Sequence, residues 1–519
     1  MIPAGLRILQ KTRSPVIFER VAMTVFVLHD NTPVSSEVQD DIGWKNFENQ
    51  FLDMTLGGLT EKSDGKPGLF LFPQTLSDSG DLDEEQRILF KRHRNGDTAL
   101  WTGNVMGFVG CEGGDLLYIT SRFGGTEPGV YKSDERANGG LDDGDQGIHD
   151  YFLNYMLGRV FDFDSINITK WMTCASAKEQ AQRLYMLMFP ALLRWAWNQG
   201  VYRQYVQRSF NDANLHGAID IARHLRANIP FTGRIAYNTR EFSADNPVNQ
   251  LVRHTIEYLL ESVRGRWLFQ GVDDIVKQLC FLTPSYRRSE RMAVLQYNLR
   301  TPVRHGFYRS YRLLQRLCIR ILRHTGLSYV GDRQIHGILF DGAWLWEEYL
   351  NTVIGDAYFH PRNKDRRGAQ YLFEGKTGVI YPDFISRTRE GRTVERKIVD
   401  AKYKKNIGSG NDDYYQMLAY MFRFEAKDGY FAYPAADVDS DGNKPVDTCL
   451  SLRSGARISA FAGYGGERQG PGAERADGVV MVHKLGLRIP NVTADISYER
   501  FCLQMGQREE ALRLALGVE

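Results

Sequence analysis

Two short apolar segments, VIYPDFIS (379–386) and KIVDAKYKK (397–405), decide the predicted fold of the C-terminal part of this 519-residue chain. Each is rich in Val, Ile, Tyr and Phe between polar stretches, which is typical of a β-strand. The polar stretch between them contains a Glu390-Gly391 turn signal. The two segments are therefore predicted to pair as a β-hairpin.

The hairpin carries one carboxylate, Asp383, on its first strand, and Asp400 and Lys402 two residues apart on its second. Side chains alternate along a strand, so Asp400 and Lys402 should share a face, to which pairing can bring Asp383. Either motif alone would most often be a solvated surface charge, but apolar residues flank Asp400, and a buried strand does not hold an unpaired charge. Two carboxylates beside a lysine favour a hard divalent cation. We interpret the set as a PD-(D/E)xK nuclease site that binds Mg²⁺ or Mn²⁺ through Asp383 and Asp400.

Two predicted helices flank the hairpin in the order typical of those nucleases. FDGAWLWEEYLNTVI (340–354) is amphipathic, and either Glu347 or Glu348 could reach the metal from it. YYQMLAYMFRF (414–424) places Gln416 and Tyr420 one helical turn apart. The predicted catalytic residues are Asp383, Asp400, Lys402, Glu347 and Gln416.

Composition limits the classes of protein that the chain can belong to. The formal net charge is +2, so any nucleic-acid surface must be local. The six cysteines include no CxxC pair, which argues against a zinc or iron–sulfur site. The N-terminus has no long apolar core, and the most apolar helix candidate, 184–193, is too short to span a bilayer. We expect a cytoplasmic protein that does not bind a membrane.

The chain is predicted to be a multidomain α+β protein. Residues 1–160 look β-rich and are the expected partner-docking domain, and residues 161–330 read as a helical middle region. Residues 331–519 read as an α/β domain of the PD-(D/E)xK restriction-endonuclease type. GKT at 375–377 is a predicted turn, because Gln370 stands where a phosphate-binding loop needs glycine. We therefore expect the chain itself to bind no nucleotide.

The middle region ends in an arginine-rich segment, 286–324, with ten arginines and one acidic residue. Arginines in its second half recur at intervals of three and four residues, which places them in a stripe along one side of a predicted helix. Such a stripe is either a solvated or interdomain ion-pair face or a surface for DNA phosphates. The candidate DNA-binding residues are Arg309, Arg312, Arg316 and Arg320.

The chain resembles the McrC family, the nuclease subunits of McrBC-type restriction systems that act on 5-methylcytosine DNA. The resemblance rests on LWEEYL (345–350), YPDF (381–384), DAKYKK (400–405) and QMLAY (416–420), and it extends from about residue 100 to 434. It implies that Asp383, Asp400 and Lys402 are catalytic and that Glu347 is the helix acid. The Glu347-Glu348 doublet departs from the family pattern and leaves the register of this acid open.

The resemblance also implies partners. They are a hexameric McrB-like AAA+ GTPase, which the chain would stimulate, and double-stranded DNA, with self-association for cleavage of both strands. Two alternative functions remain compatible with the sequence: a stand-alone RecB-like nuclease of DNA or RNA, and a catalytically inert bridge that only activates the GTPase.

Overall fold

The computed structural model describes residues 24–63, 69–73, 86–94, 97–110, 115–132, 148, 150–162, 177–262, 266–323, 336–361, 370–387, 396–404, 411–437, 442–452, 480–493 and 496–518. Within these ranges the fold is mixed α/β with several sheets, which confirms the coarse prediction. The assignment of the C-terminal part to the restriction-endonuclease type stays a prediction.

The described residues of the N-terminal part form short strands and three short helices. In chain order they are β1 (Thr24–His29), α1 (Ser36–Asp40), α2 (Trp44–Phe51), α3 (Leu56–Ser63), β2 (Leu69–Phe72), β3 (Leu89–Arg94), β4 (Asp97–Thr102), β5 (Val105–Gly110), β6 (Leu116–Thr120) and β7 (Gly129–Lys132).

The middle part is mainly helical, but it also contains a three-stranded antiparallel sheet, β8-β10-β9, which the sequence analysis did not predict. Its elements are α4 (Tyr151–Phe161), α5 (Ala177–Asn198), β8 (Gln204–Asp212), β9 (Ala218–Ile219), α6 (Ile221–Ala227), β10 (Ile235–Ser243), α7 (Pro247–Ser262), α8 (Asp273–Leu282), α9 (Arg291–Arg300) and α10 (Arg309–Arg323). Helix α7 begins at a proline after a polar cap: the side chain of Asn246 accepts from the N–H groups of Val248 and Asn249, each at 3.1 Å.

The C-terminal part alternates strands and helices. Its elements are β11 (His336–Asp341), α11 (Gly342–Ile354), β12 (Tyr358–Phe359), β13 (Gln370–Phe373), β14 (Thr377–Ile380), β15 (Phe384–Ser386), β16 (Lys397–Ala401), α12 (Asp412–Phe424), β17 (Asp428–Ala436), β18 (Val446–Ser451), β19 (Met481–Ile489) and α13 (Tyr498–Ala515).

Within the described ranges, two six-stranded sheets are the largest sheets. The first has the order β2-β11-β5-β6-β1-β7, and the second has the order β12-β15-β16-β17-β19-β18. Strand β11 lies beyond residue 330, yet it pairs with β2 in parallel and with β5 in antiparallel register. The N-terminal sheet therefore takes one of its inner strands from the segment that was assigned to the nuclease domain.

The predicted hairpin is present, but its first segment is divided between two pairings. Residues 377–380 form β14 and pair with β13, whereas residues 384–386 form β15 and pair with β16. Asp383 therefore lies immediately before a strand rather than on one. The break falls at Pro382, which has no N–H to donate to a strand ladder.

One apolar cluster contains buried residues from all three predicted domains. The ring of Phe72 in β2 stacks on Phe340 of β11 at a centroid distance of 5.3 Å and on Trp344 of α11 at 6.3 Å. Phe161 of α4 packs against the same tryptophan at 6.4 Å. Because aromatic side chains bury large areas, these contacts hold the N-terminal sheet, the middle helices and α11 together.

None of the helices in the described ranges combines the length and the apolar character needed to cross a bilayer.

The close approach of β5 and β11 predicts a strong requirement for glycine at position 107. Gly107 has φ +125°, and a Cβ added there would lie 2.1 Å from the carbonyl oxygen of Ile338. We expect Gly107→Ala to destabilise the protein by about 2–4 kcal/mol, because both the backbone and the strand spacing must change. The measurement is the midpoint of thermal unfolding by circular dichroism.

The matched control is Gly506→Ala in α13, where an added Cβ meets no atom within 4 Å. Alanine there should leave stability unchanged or raise it by up to about 1 kcal/mol. An unchanged unfolding midpoint for Gly107→Ala would contradict the pairing of β11 in the N-terminal sheet.

Candidate active site

The two predicted metal-binding carboxylates face each other across β15 and β16. The register pairs Phe384 with Val399, and its continuation by one residue sets Asp383 opposite Asp400. The ladder stops there, and Oδ2 of Asp383 accepts the N–H of Ala401 at 2.8 Å. The Asp383 carboxylate thus replaces a backbone carbonyl as the acceptor at the end of the strand ladder. The hydrogen bond from Ala401 fixes the orientation of this carboxylate.

Asp383 lies in a strongly unfavourable environment for a negative charge. Burial raises its pKa well above the usual range, and the neighbouring charges of Glu347 and Asp400 raise it further. The hydrogen bond from Ala401 and the charge of Lys402 act in the opposite direction but are weaker. Three carboxylates are therefore close enough to interact through their charges, and Lys402 offsets only part of that repulsion.

Lys402 is held in place by acidic and amide groups. Its Nζ lies 2.8 Å from Oδ2 of Asp400 and 3.2 Å from Oδ1 of Asp413, and it donates to Oε1 of Gln416 at 3.2 Å. Burial alone would lower the pKa of this ammonium group, but Asp400, Asp413 and Asp383 together more than offset that effect and the pKa is raised. The backbone N–H of Lys402 also donates to the carbonyl of Ala432 in β17 at 2.9 Å. The side chain is therefore a fixed cation and a hydrogen-bond donor.

Gln416 and Tyr420 lie together on α12, as the spacing predicts. Nε2 of Gln416 donates to the hydroxyl of Tyr420 at 2.7 Å, while Oε1 faces Lys402. The amide is thereby oriented with its carbonyl oxygen toward the lysine. Asp413, in the first turn of the same helix, gives Lys402 its second carboxylate.

Glu347 reaches the site from α11. The amphipathic character predicted for this helix is confirmed, since its apolar face is buried: Trp344, Leu345, Tyr349, Leu350 and Val353. Glu347 is 8% exposed, and its charge contributes to the raised pKa of Asp383. Oε1 of Glu347 and Oε1 of Glu348 lie 3.7 Å and 3.8 Å from Nε2 of His360. Of the two adjacent glutamates, Glu347 is therefore the one whose charge acts on Asp383.

Sequence reasoning did not find His360 or Asp413. His360 follows β12, a strand of two residues, and no motif or periodicity singles it out. Burial would lower the pKa of this imidazole, but the nearby Glu348, the carbonyl of Asp383 and the charge of Glu347 together raise it. The available signal for Asp413 was its position, because this acidic residue lies one helical turn before Gln416 and so on the same side of the helix as Gln416 and Tyr420.

The donor set fits a hard divalent cation. Carboxylate oxygens are the ligands that Mg²⁺ and Mn²⁺ prefer, and a cation would relieve the mutual repulsion of Asp383, Asp400 and Glu347. Among the described residues, no three acidic, histidine or cysteine side chains already have the spacing of a metal's ligands. Asp400 is instead paired with Lys402, so cation binding would require its carboxylate to shift away from the ammonium group.

The four arginines proposed for DNA lie on α10 in two different environments. Arg309 and Arg312 are exposed, near the start of the helix. Arg316 donates to a carbonyl of β2 at 2.7 Å, and the guanidinium of Arg320 lies over the ring of Tyr185 at 5.4 Å. The second pair thus joins α10 to its neighbours. Contact of this stripe with DNA stays a prediction.

The sequence profile described as "McrBC 5-methylcytosine restriction system component" matches residues 100–434. The match includes every residue of the candidate site. A comparison with curated proteins found no match.

Two solved complexes from Thermococcus gammatolerans contain similar chains. One is a refined half-complex from a tetradecameric assembly of McrB AAA+ hexamers with bound McrC; the identity is 14%, the TM-score is 0.44, and 95% of this chain and 100% of that chain are covered. The other is a cryo-EM structure of the McrBC complex, with 13% identity, a TM-score of 0.27 and coverage of 64% and 87%. Both TM-scores are low, so the family assignment rests on the profile match.

The raised pKa of Asp383 predicts a pH-dependent gain of stability when its charge is removed. A carboxyl whose pKa is higher in the folded protein costs stability as the pH rises from about 3.9, the unfolded value, through the folded value. Asp383→Asn removes that cost and keeps an acceptor for the Ala401 N–H. We expect a higher midpoint of thermal unfolding than in the parent at neutral pH without divalent cations, and no difference at pH 4.

Asp274→Asn is the control, because that side chain is 87% exposed and should show no such pH dependence. The measurement is thermal unfolding between pH 4 and pH 8. A lower midpoint for Asp383→Asn at neutral pH would mean that the three carboxylates do not repel one another in the folded protein.

Proposed function

The chain belongs to the family of McrBC 5-methylcytosine restriction system components, and from this premise we propose that it is the endonuclease subunit of a GTP-dependent restriction complex. It cleaves modified foreign DNA with a divalent cation, and it stimulates a McrB-like AAA+ GTPase. The observation that carries the proposal is the convergence of Asp383, Asp400 and Lys402 at the end of one strand pair, with Glu347 facing them from α11.

The proposed chemistry is hydrolysis of a phosphodiester. Asp383 and Asp400, with Glu347 beside them, would hold Mg²⁺ or Mn²⁺, which when bound lowers the pKa of water and offsets charge on the phosphate. Lys402 cannot act as a proton acceptor while it is cationic. It instead orients the attacking water and stabilises the negative charge that develops on the phosphate oxygens. Gln416 fixes the lysine through the bond between Oε1 and Nζ.

A double-strand break needs two such sites, because one site cuts one strand. We therefore propose that two copies of the chain act together on double-stranded DNA. The exposed end of α10, with Arg309 and Arg312, is the proposed surface for the phosphate backbone.

The partner GTPase is proposed to dock on the β-rich residues 1–160, from which the candidate site draws no residue. This region nevertheless contacts the site. Arg122, ion-paired with buried Asp30 at 3.4 Å, lies over the ring of Tyr403 at 4.3 Å, next to Lys402. A partner that shifts the N-terminal sheet would therefore move Arg122 and Tyr403, which lies next to the proposed catalytic Lys402.

Substitution of either Asp400 or Lys402 tests the proposed DNA cleavage and the proposed stimulation of the GTPase in one set of variants. We expect Asp400→Ala and Lys402→Ala to abolish Mg²⁺-dependent cleavage of methylated DNA, because each removes a ligand or the fixed cation. Both variants should stimulate GTP hydrolysis by a McrB-like partner as strongly as the parent. The measurements are supercoiled-plasmid cleavage and steady-state GTP turnover with the full-length chain.

Lys404→Ala is the matched control, since Lys404 lies two residues further along and its Nζ contacts Asp413 at 3.6 Å from a more exposed position. It should cleave normally. Full cleavage by both test variants would refute the assignment, and cleavage without GTP or partner would favour a stand-alone nuclease. GTPase stimulation by a parent protein that never cuts would favour the inert bridge.

The arginine surface has its own test. We expect the double variant Arg309→Gln/Arg312→Gln to weaken DNA binding at all sequences and to reduce the slope of log K against log salt by about 2, roughly 1 per lost phosphate contact. Fluorescence anisotropy over a salt series measures this slope. Arg288→Gln, which removes an exposed ion pair with Glu261, is the control. An unchanged slope in the double variant would show that the stripe does not contact phosphate.

A further inference from the structure

His360 lies between the two halves of the candidate active site, and the proposed chemistry makes no use of it. Its side chain is only 4% exposed. Nδ1 lies 2.9 Å from the backbone carbonyl oxygen of Asp383, and Nε2 lies 3.7 Å and 3.8 Å from carboxylate oxygens of Glu347 and Glu348. One imidazole thus contacts the backbone of one metal-binding residue and faces the side chain of the helix acid.

The hydrogen bond to Asp383 requires a proton on Nδ1, because a carbonyl oxygen can only accept. A ring that also donates from Nε2 toward a carboxylate carries protons on both nitrogens and is an imidazolium. The ring orientation is fixed as well, because it stacks on Phe384 with a centroid distance of 4.9 Å and an interplanar angle of 23°. Nε2 is therefore held toward the two glutamates. Within the described part of the chain it is buried without a hydrogen-bond partner.

We propose that His360 is a positioning residue for the divalent-cation site: its Nε2 holds the carboxylate of Glu347 toward Asp383. This inference rests on the proposed function. Glu347 comes from α11 and Asp383 from the segment before β15, and His360 links them because the same ring is bonded to the second and faces the first. Groups that orient metal ligands without touching the metal commonly account for 10–100-fold in affinity.

The adjacent glutamates then have different roles. Glu347 is the more buried, with its side chain 11% exposed against 21% for Glu348, and its charge acts on Asp383. Glu348 also faces Nε2, at 3.8 Å, and acts on the imidazole. Glu347 is the acid that His360 positions for the cation.

Two amide substitutions separate the two nitrogens of the ring. Asparagine places an N–H near the position of Nδ1, so His360→Asn keeps the bond to the Asp383 carbonyl but does not reach the glutamates. Glutamine places an N–H near the position of Nε2, so His360→Gln keeps a donor toward Glu347. If Nε2 positions the acid, glutamine should preserve cation binding and asparagine should not.

The experiment measures Mn²⁺ binding to the full-length chain from the electron paramagnetic resonance signal of free Mn²⁺. We expect His360→Asn to weaken binding about 10-fold or more and His360→Gln to stay within about 3-fold of the parent. Asp383→Asn, which removes a proposed ligand, serves as the reference for loss of the site. Thermal unfolding of each variant shows whether the fold is retained.

The outcomes separate this inference from the proposed function. If Asp383→Asn loses Mn²⁺ but His360→Asn binds it as the parent does, the cation site stands and the role of His360 is refuted. If asparagine and glutamine weaken binding equally and both lower the unfolding midpoint, His360 acts by packing alone and the inference is again refuted. If the parent binds no Mn²⁺, the proposed metal centre fails, and the inference fails with it.

Discussion

The convergence of three carboxylates is the constraint on which the rest of this structure depends. Asp383, Asp400 and Glu347 lie close together, and burial, followed by the charges of Glu347 and Asp400, raises the pKa of Asp383. Buried like charges cost stability unless a cation offsets them. Lys402 supplies one positive charge, but Asp400 and Asp413 both engage it. The fold must therefore hold these acids together against their mutual repulsion. A divalent cation would offset that repulsion because it attracts each of the carboxylates.

The surrounding elements supply that rigidity. Helix α11 is capped by Asp341, whose side chain accepts from two backbone N–H groups, and its tryptophan Trp346 donates to the carbonyl of Ala432 at 3.1 Å. The hydroxyl of Tyr349 donates to buried Glu509 of α13 at 2.7 Å. The helix is thus fixed at its start, along its buried face and toward the opposite end of the chain. Glu347 cannot retreat from Asp383 without disturbing these contacts.

The sequence was most informative where periodicity and chemistry coincide. The strand with Asp400 and the helices with Glu347 and Gln416 were predictable, because apolar spacing placed charged residues inside buried elements. The break before β15 was not predicted, since an apolar run does not show where a proline ends a ladder. Strand β8 was missed because it buries none of its residues and so has no strong apolar alternation. His360 follows a two-residue strand, which is too short to carry any period.

The direct passage from β11 into α11 has a consequence for the modularity of this protein. Asp341 ends the strand and caps the helix, so no linker separates the N-terminal sheet from the helix that carries Glu347. A fragment that starts at residue 331 would carry the buried side chains of Ile338, Leu339 and Phe340 without the strands that cover them. Such an unpaired apolar strand is prone to aggregate. The segment after residue 330 is therefore not a separate folding unit, and any exchange of parts between relatives must carry β11 together with β2 and β5.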